Sequence, residues 1–131
     1  MGARSVIDSI SEQIGALNRH PSPLKGLEAL LSSFIARSDN HCLGLFAVLE
    51  FGRSDPEVTL LGEAAGRTLH VALEHRIAEA KAAGEIDAEV DPEVAARFIA
   101  ATLSGLKIAA RAGTSPEDLK KMARLALRSL V

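Results

Sequence analysis

Residues 91–113 read DPEVAARFIAATLSGLKIAARAG. Asp91 can accept hydrogen bonds from the free N–H groups of a first helical turn. Pro92 suits the first helical position because its missing N–H would have had no partner there. Glu93 follows where the helix dipole favours an acid, and Gly113 closes the run because glycine takes the left-handed cap conformation cheaply. Between these marks, Glu93, Arg97, Ala100, Ser104, Lys107 and Arg111 trace one narrow polar stripe at steps of three and four. Nearly everything else is apolar or small. A helix apolar over most of its circumference is buried on more than one side. In a small domain this points to a partner chain, a well-buried monomer core being the other reading.

The same punctuation recurs through the chain. Ser22-Pro23, Asp55-Pro56 and Ser115-Pro116 repeat the pairing of a capping side chain with proline, and Gly52 and Gly84 mark further helix ends. The spacing predicts helices over 4–17, 23–36, 42–50, 56–83, 92–112 and 116–130. The helix over 56–83 would be about 40 Å long at 1.5 Å per residue. The last helix repeats the apolar excess: Leu119, Met122, Ala123, Ala126 and Leu130 would fill one face, yet Leu125 and Leu127 are added. No stretch alternates with period two, and there is no internal repeat or flexible linker. The expected architecture is all-α: one helical bundle of about six helices, 131 residues forming a single domain.

Composition agrees. Ala (22) and Leu (18) dominate, against 15 Val and Ile and no Trp or Tyr, a mixture that suits helices better than strands. Apolar runs are too short to span a bilayer, and the charged first 20 residues lack the apolar centre of a signal peptide, so the expected location is cytoplasmic, with no membrane partner. One cysteine, Cys42, excludes an intrachain disulfide; opening an apolar helix, it is read as a packed small residue. Residues 50–93 hold eleven acids and four bases, whereas residues 107–131 hold six bases and two acids. Glu117 and Asp118 dilute that basic end and no aromatic residue interleaves it, so it reads as a solvated helix face and not as a nucleic-acid surface.

Signatures of catalysis are missing. There is no glycine-rich phosphate loop, paired-cysteine motif or nucleophile elbow, and no acid–base constellation, so the chain is read as not an enzyme, with no cofactor. His70 and Glu74 stand one turn apart, beside His75. They could hold a metal or orient a ligand, with His41 approaching in space, but a simple hydrogen-bonded pair is the preferred reading and no metal site is expected. Glu50, among Leu45, Phe46, Leu49 and Phe51, either lines a cavity or ends its helix. Thr102 either bonds back to its own helix or faces a pocket.

The stretch His41–Phe51, HCLGLFAVLEF, followed by Asp55-Pro56-Glu57-Val58, resembles the middle of the C-terminal domain of TetR/AcrR-type transcription regulators. Gly84-Glu85-Ile86 and then Asp91-Pro92-Glu93 resemble that family's turn after its long helix. Residues 98–113 and 119–130 resemble its last two helices. The likeness runs from 22 to 131, and residues 1–20 look like the remnant or equivalent of the helix that links the family's two domains. The family's DNA-reading helix-turn-helix domain has no counterpart here.

The resemblance implies a domain that senses a small molecule and forms a homodimer, with DNA read only by a domain outside this chain. The alternative is a helical dimerisation or adaptor module without a ligand. In the family the last two helices pair across the dimer, which here implicates Ala101, Gly105, Leu106, Ala109, Leu119, Met122, Ala126 and Leu130. A ligand cavity would lie among the first five helices, between those over 23–36, 42–50, 56–83 and 92–112. Helical faces select Leu30, Phe34, Phe46, Leu49, Leu69, Leu73 and Phe98 as its apolar lining, with Glu50, His70 and Thr102 as polar groups. The ligand expected there is a small, largely apolar molecule bearing one amine or hydroxyl.

Overall fold

The computed structural model describes residues 2–36 and 56–131, and every regular element among them is helical. These are α1 (Gly2–Asn18), α2 (Pro23–Ala36), α3 (Pro56–Ala82), α4 (Pro92–Arg111) and α5 (Pro116–Arg128). The helix expected over 42–50 lies outside the described residues. Among those described, no helix is long and apolar enough to cross a membrane.

Helix ends follow the chemistry of their caps. The Asp91 carboxylate accepts from the Glu93 N–H at 3.0 Å, and the Ser115 hydroxyl accepts from the Asp118 N–H at 3.1 Å. Gly84 and Gly113 adopt φ of 78° and 104° directly after α3 and α4. Each lets the chain turn back on its helix. The Glu85 N–H reaches the Ala80 carbonyl, and the Thr114 N–H reaches that of Ala109, pairing carbonyls that a helix end leaves open.

Four of the helices surround α2. It touches α1, α3, α4 and α5, while α1 also packs on α3, α3 on α4, and α4 on α5. Leu17, Leu27, Leu30, Leu31, Leu73, Ile77, Ile99, Leu106 and Leu119 form the fully buried centre. Burying side chains of this kind contributes roughly 1.5–3 kcal/mol each before entropy is charged against it. Lys107 is the exception among them. The sequence pattern places it on the polar stripe of α4, yet it is 1% exposed, with its ammonium 5.3 Å from the centre of the Phe34 ring. It stands at the border between the stripe and the core face, where the long alkyl stem can lie along apolar neighbours.

Candidate functional site

Two surfaces of the bundle differ sharply in how completely the chain satisfies them. The first is the outward face of α4 and α5. On α4, Val94, Phe98, Ala101, Gly105 and Ile108 fall at steps of three and four and all are exposed. Val94, Phe98 and Ile108 are large apolar residues, 61%, 43% and 56% exposed, and Met122 and Leu125 continue the face on α5. Phe98, Thr102, Gly105, Leu106, Met122, Leu125 and Ala126 line a shallow groove of about 370 Å³ between the helices. Scattered apolar residues on a surface are ordinary, but a contiguous strip across two helices marks an interaction surface.

This geometry redistributes the expected site residues. Phe98 and Thr102, expected in the ligand cavity, lie instead on this outward groove. The Thr102 hydroxyl donates to the Phe98 carbonyl at 2.9 Å, the back-bond along its own helix. The physical reason is that α4 carries two apolar faces, one toward the core through Ile99, Leu103 and Leu106, the other toward solvent. Composition cannot tell them apart. Among the expected interface residues, Ala101, Gly105 and Met122 are exposed and Ala109 is half-buried, whereas Leu106 and Ala126 form the buried floor of the groove. Leu119 and Leu130 turn inward and belong to the core. Leu125, noted in the sequence as apolar surplus, lies on this face; Val94 and Ile108 were not singled out for it, although their spacing from Phe98 carried the signal.

Of the expected cavity residues, Leu30, Phe34 and Leu73 are buried in one cluster, Leu69 packs against it half-buried, and His70 is half-buried beside Leu69. Phe46, Leu49 and Glu50 lie outside the described residues, as do Cys42 and His41. Among the described residues, no group of three or more His, Cys, Asp and Glu side chains could hold a metal ion. His75 pairs with Glu79 at 3.9 Å on the exposed side of α3.

The second surface is the joint between α1 and α2, and it is polar and closed. The Arg76 side chain, 8% exposed, reaches from α3 across the end of α1. Its Nε donates to the Leu17 carbonyl at 3.1 Å, its Nη2 to the His20 carbonyl, and its Nη1 meets Glu79 Oε1 at 3.3 Å. A cation at a helix C-terminus also suits the dipole there. Gly26 makes the approach possible: a Cβ at this position of α2 would overlap the Leu17 carbonyl oxygen. On the other side of the joint, Glu85 accepts from the Ser22 hydroxyl and from the Leu24 N–H (3.2 Å), capping α2 from the turn after α3. Nothing in the residue spacing announced Arg76 or Glu85, since their bonds across the joint go to backbone groups and one hydroxyl that are all distant in sequence. Gly26, isolated inside a helical pattern, was the one local sign.

Comparison with known proteins agrees with this architecture. Residues 23–126 match the family model for the tetracyclin repressor-like C-terminal domain. No curated protein matches the chain. A solved structure of the TetR family transcriptional regulator CifR, a cysteine mutant complexed with 26-bp double-strand operator DNA, is 25% identical. It superposes with a TM-score of 0.82 over 98% of this chain and 70% of its own. A TetR transcriptional regulator from Chloroflexus aurantiacus shares the fold at 20% identity, with a TM-score of 0.81 over 96% of this chain and 67% of its own. The chain belongs to the tetracyclin repressor-like C-terminal domain family, the regulatory part of TetR-type transcription regulators.

Proposed function

We propose that this domain senses a small molecule and forms a homodimer, as the regulatory part of a transcription regulator whose DNA reading lies outside residues 1–131. The observation that carries the dimer is the exposed apolar strip of Val94, Phe98, Ala101, Gly105 and Ile108, continued by Met122 and Leu125. A two-fold axis through this strip would set the same patch of both copies together, with the small Ala101 and Gly105 allowing close helix approach. In this reading the ligand cavity lies among Leu30, Phe34, Leu69, His70 and Leu73; Phe46, Leu49 and Glu50, also expected to line it, lie outside the described residues. Phe98 and Thr102 belong to the dimer groove in this reading.

Ligand binding acts on DNA reading only by favouring one of two arrangements over the other. Residues 1–20 serve as the connecting helix, and the joint at Leu17 and His20 ties its end to α2 and α3. Analytical ultracentrifugation tests the dimer: the expected result is a dimer at micromolar concentration, and a monomer refutes this reading. A thermal-shift screen of small apolar amines and alcohols tests sensing, with Leu73→Trp expected to abolish any stabilisation found.

A further inference from the structure

The first helix is anchored toward one end. Among the described side chains of α1, the buried ones are Gln13, Ala16 and Leu17, in its last two turns, whereas Asp8, Ser11 and Glu12 are exposed. The helix packs on α2 and α3. At 1.5 Å per residue it is about 25 Å long, so a turn of about 10° at the anchored end moves the other end by about 4 Å. The contacts around Leu17 therefore decide where the rest of α1 points. Apolar burial is non-directional, so Ala16 and Leu17 fix the distance of α1 from its neighbours better than its angle. Direction needs bonds of defined geometry, and those come from α3.

We infer that Arg76 is the positioning residue that sets the direction of α1 relative to α3. Its guanidinium is a planar plate whose N–H donors form a fixed fork. Nε and Nη2 donate to the Leu17 and His20 carbonyls, and Nη1 meets Glu79 Oε1 at 3.3 Å, one turn further along α3. The plate is thus gripped by its own helix while it holds α1 by the backbone, not by a side chain that could rotate. Those carbonyls lie at the end of α1 and just beyond it, where intrahelical N–H partners run out. Gly26 clears the space: a Cβ there would overlap the Leu17 carbonyl and stand 3.2 Å from Arg76 Nε. Lysine at 76 would keep the charge but offer a point donor on a flexible stem, without the fork. Leu73, one turn before Arg76, belongs to the buried cluster in which the ligand cavity is proposed. A shift of α3 at that cavity reaches α1 through the same side chain. That route presupposes the sensing and connecting roles proposed above; the hold of Arg76 on α1 does not.

Residual dipolar couplings of backbone amides, measured on the full chain without ligand, read helix directions. In the unmodified protein the couplings of α1, α2 and α3 are expected to fit one alignment tensor. In Arg76→Lys and Arg76→Met, those of α2 and α3 should still share a tensor. Those of α1 should refit at a rotation that moves its far end by about 4 Å or more, or shrink because α1 samples several directions. The Cα shifts of α1 should stay helical. Asp91→Ala, which removes a cap on α4, is the control for lowered stability and should leave all three helices on one tensor. Unchanged α1 couplings in both Arg76 variants would overturn the inference, since packing at Ala16 and Leu17 would then hold the direction alone. Coil-like shifts in α1 would overturn it too, as would α2 and α3 losing their common tensor, because Arg76 would then support the fold and not one direction. So would an equal rotation of α1 in Asp91→Ala. The same pattern is expected in a Leu125→Glu background, so the outcome is separate from dimer formation as well as from ligand sensing.

Discussion

The joint between α1 and α2 and the outer face of α4 and α5 solve opposite problems. At the joint, each polar group brought out of water meets a partner within the chain: Arg76 with the Leu17 and His20 carbonyls, Glu85 with Ser22 and the Leu24 N–H. On the outer face, Val94, Phe98, Ile108, Met122 and Leu125 remain exposed to water by 40–63% among the described residues. The chain therefore satisfies its groups at one place and leaves apolar surface exposed at the other. Substitutions at the joint should change the stability of the protomer, whereas substitutions on the face should change association and leave the protomer intact.

The largest effect is expected from Leu125→Glu. Leu125 is 63% exposed, so a carboxylate there is solvated in the single chain. Buried unpaired in a two-fold interface, it costs several kcal/mol. Sedimentation should show a monomer whose circular dichroism is unchanged, and a persistent dimer would place the interface elsewhere. Next come Arg76→Met and Gly26→Ala. The first leaves two carbonyls without their donor, at about 1–3 kcal/mol, and the second drives a methyl into the Leu17 carbonyl at a similar cost. Urea unfolding at a protein concentration that holds the dimer saturated measures both, and association should survive.

Gly105→Ala sharpens the contrast because its two effects have opposite signs. A Cβ there meets nothing within 4 Å in the single chain. The protomer should gain up to about 1 kcal/mol from better helix propensity, while a closely packed dimer should weaken. Asp91→Ala removes a cap common to both states and should cost about 1 kcal/mol in unfolding with no change in association. The smallest effect belongs to Arg97→Ala. Its pair with Glu93 at 3.3 Å is well exposed, so stability should move by less than about 0.5 kcal/mol.

The fold was legible in the sequence because its punctuation is local. Asp91-Pro92 and Ser115-Pro116 open helices at the expected residues, and Gly84 and Gly113 close them with positive φ. The apolar surplus of α4 and α5 was legible too, but not its direction. Phe98 and Ile99 are neighbours of like hydropathy; one faces solvent at 43% exposure and the other is fully buried. Only the packing of α2, α3 and α5 against α4 separates them. Lys107 shows the same limit from the polar side, since a charge at the edge of a stripe does not say which way its stem lies. Arg76 and Glu85 were illegible because backbone carbonyls and N–H groups have no sequence signature of their own.

The bonds at the joint join residues 59 and 56 apart for Arg76, and 63 and 61 apart for Glu85. Bringing the ends of a segment of that length together costs on the order of 3.6 kcal/mol of chain entropy, by (3/2)RT ln n, before any contact repays it. The connection from α4 to α5, by contrast, is closed by a local turn in which the Thr114 N–H meets the Ala109 carbonyl. In folding, the α4–α5 hairpin can therefore form while α1 is still searching, and the Arg76 bonds register that the long search is over. In refolding, a hairpin whose apolar face stays exposed can then meet other copies before the joint at α1 has closed.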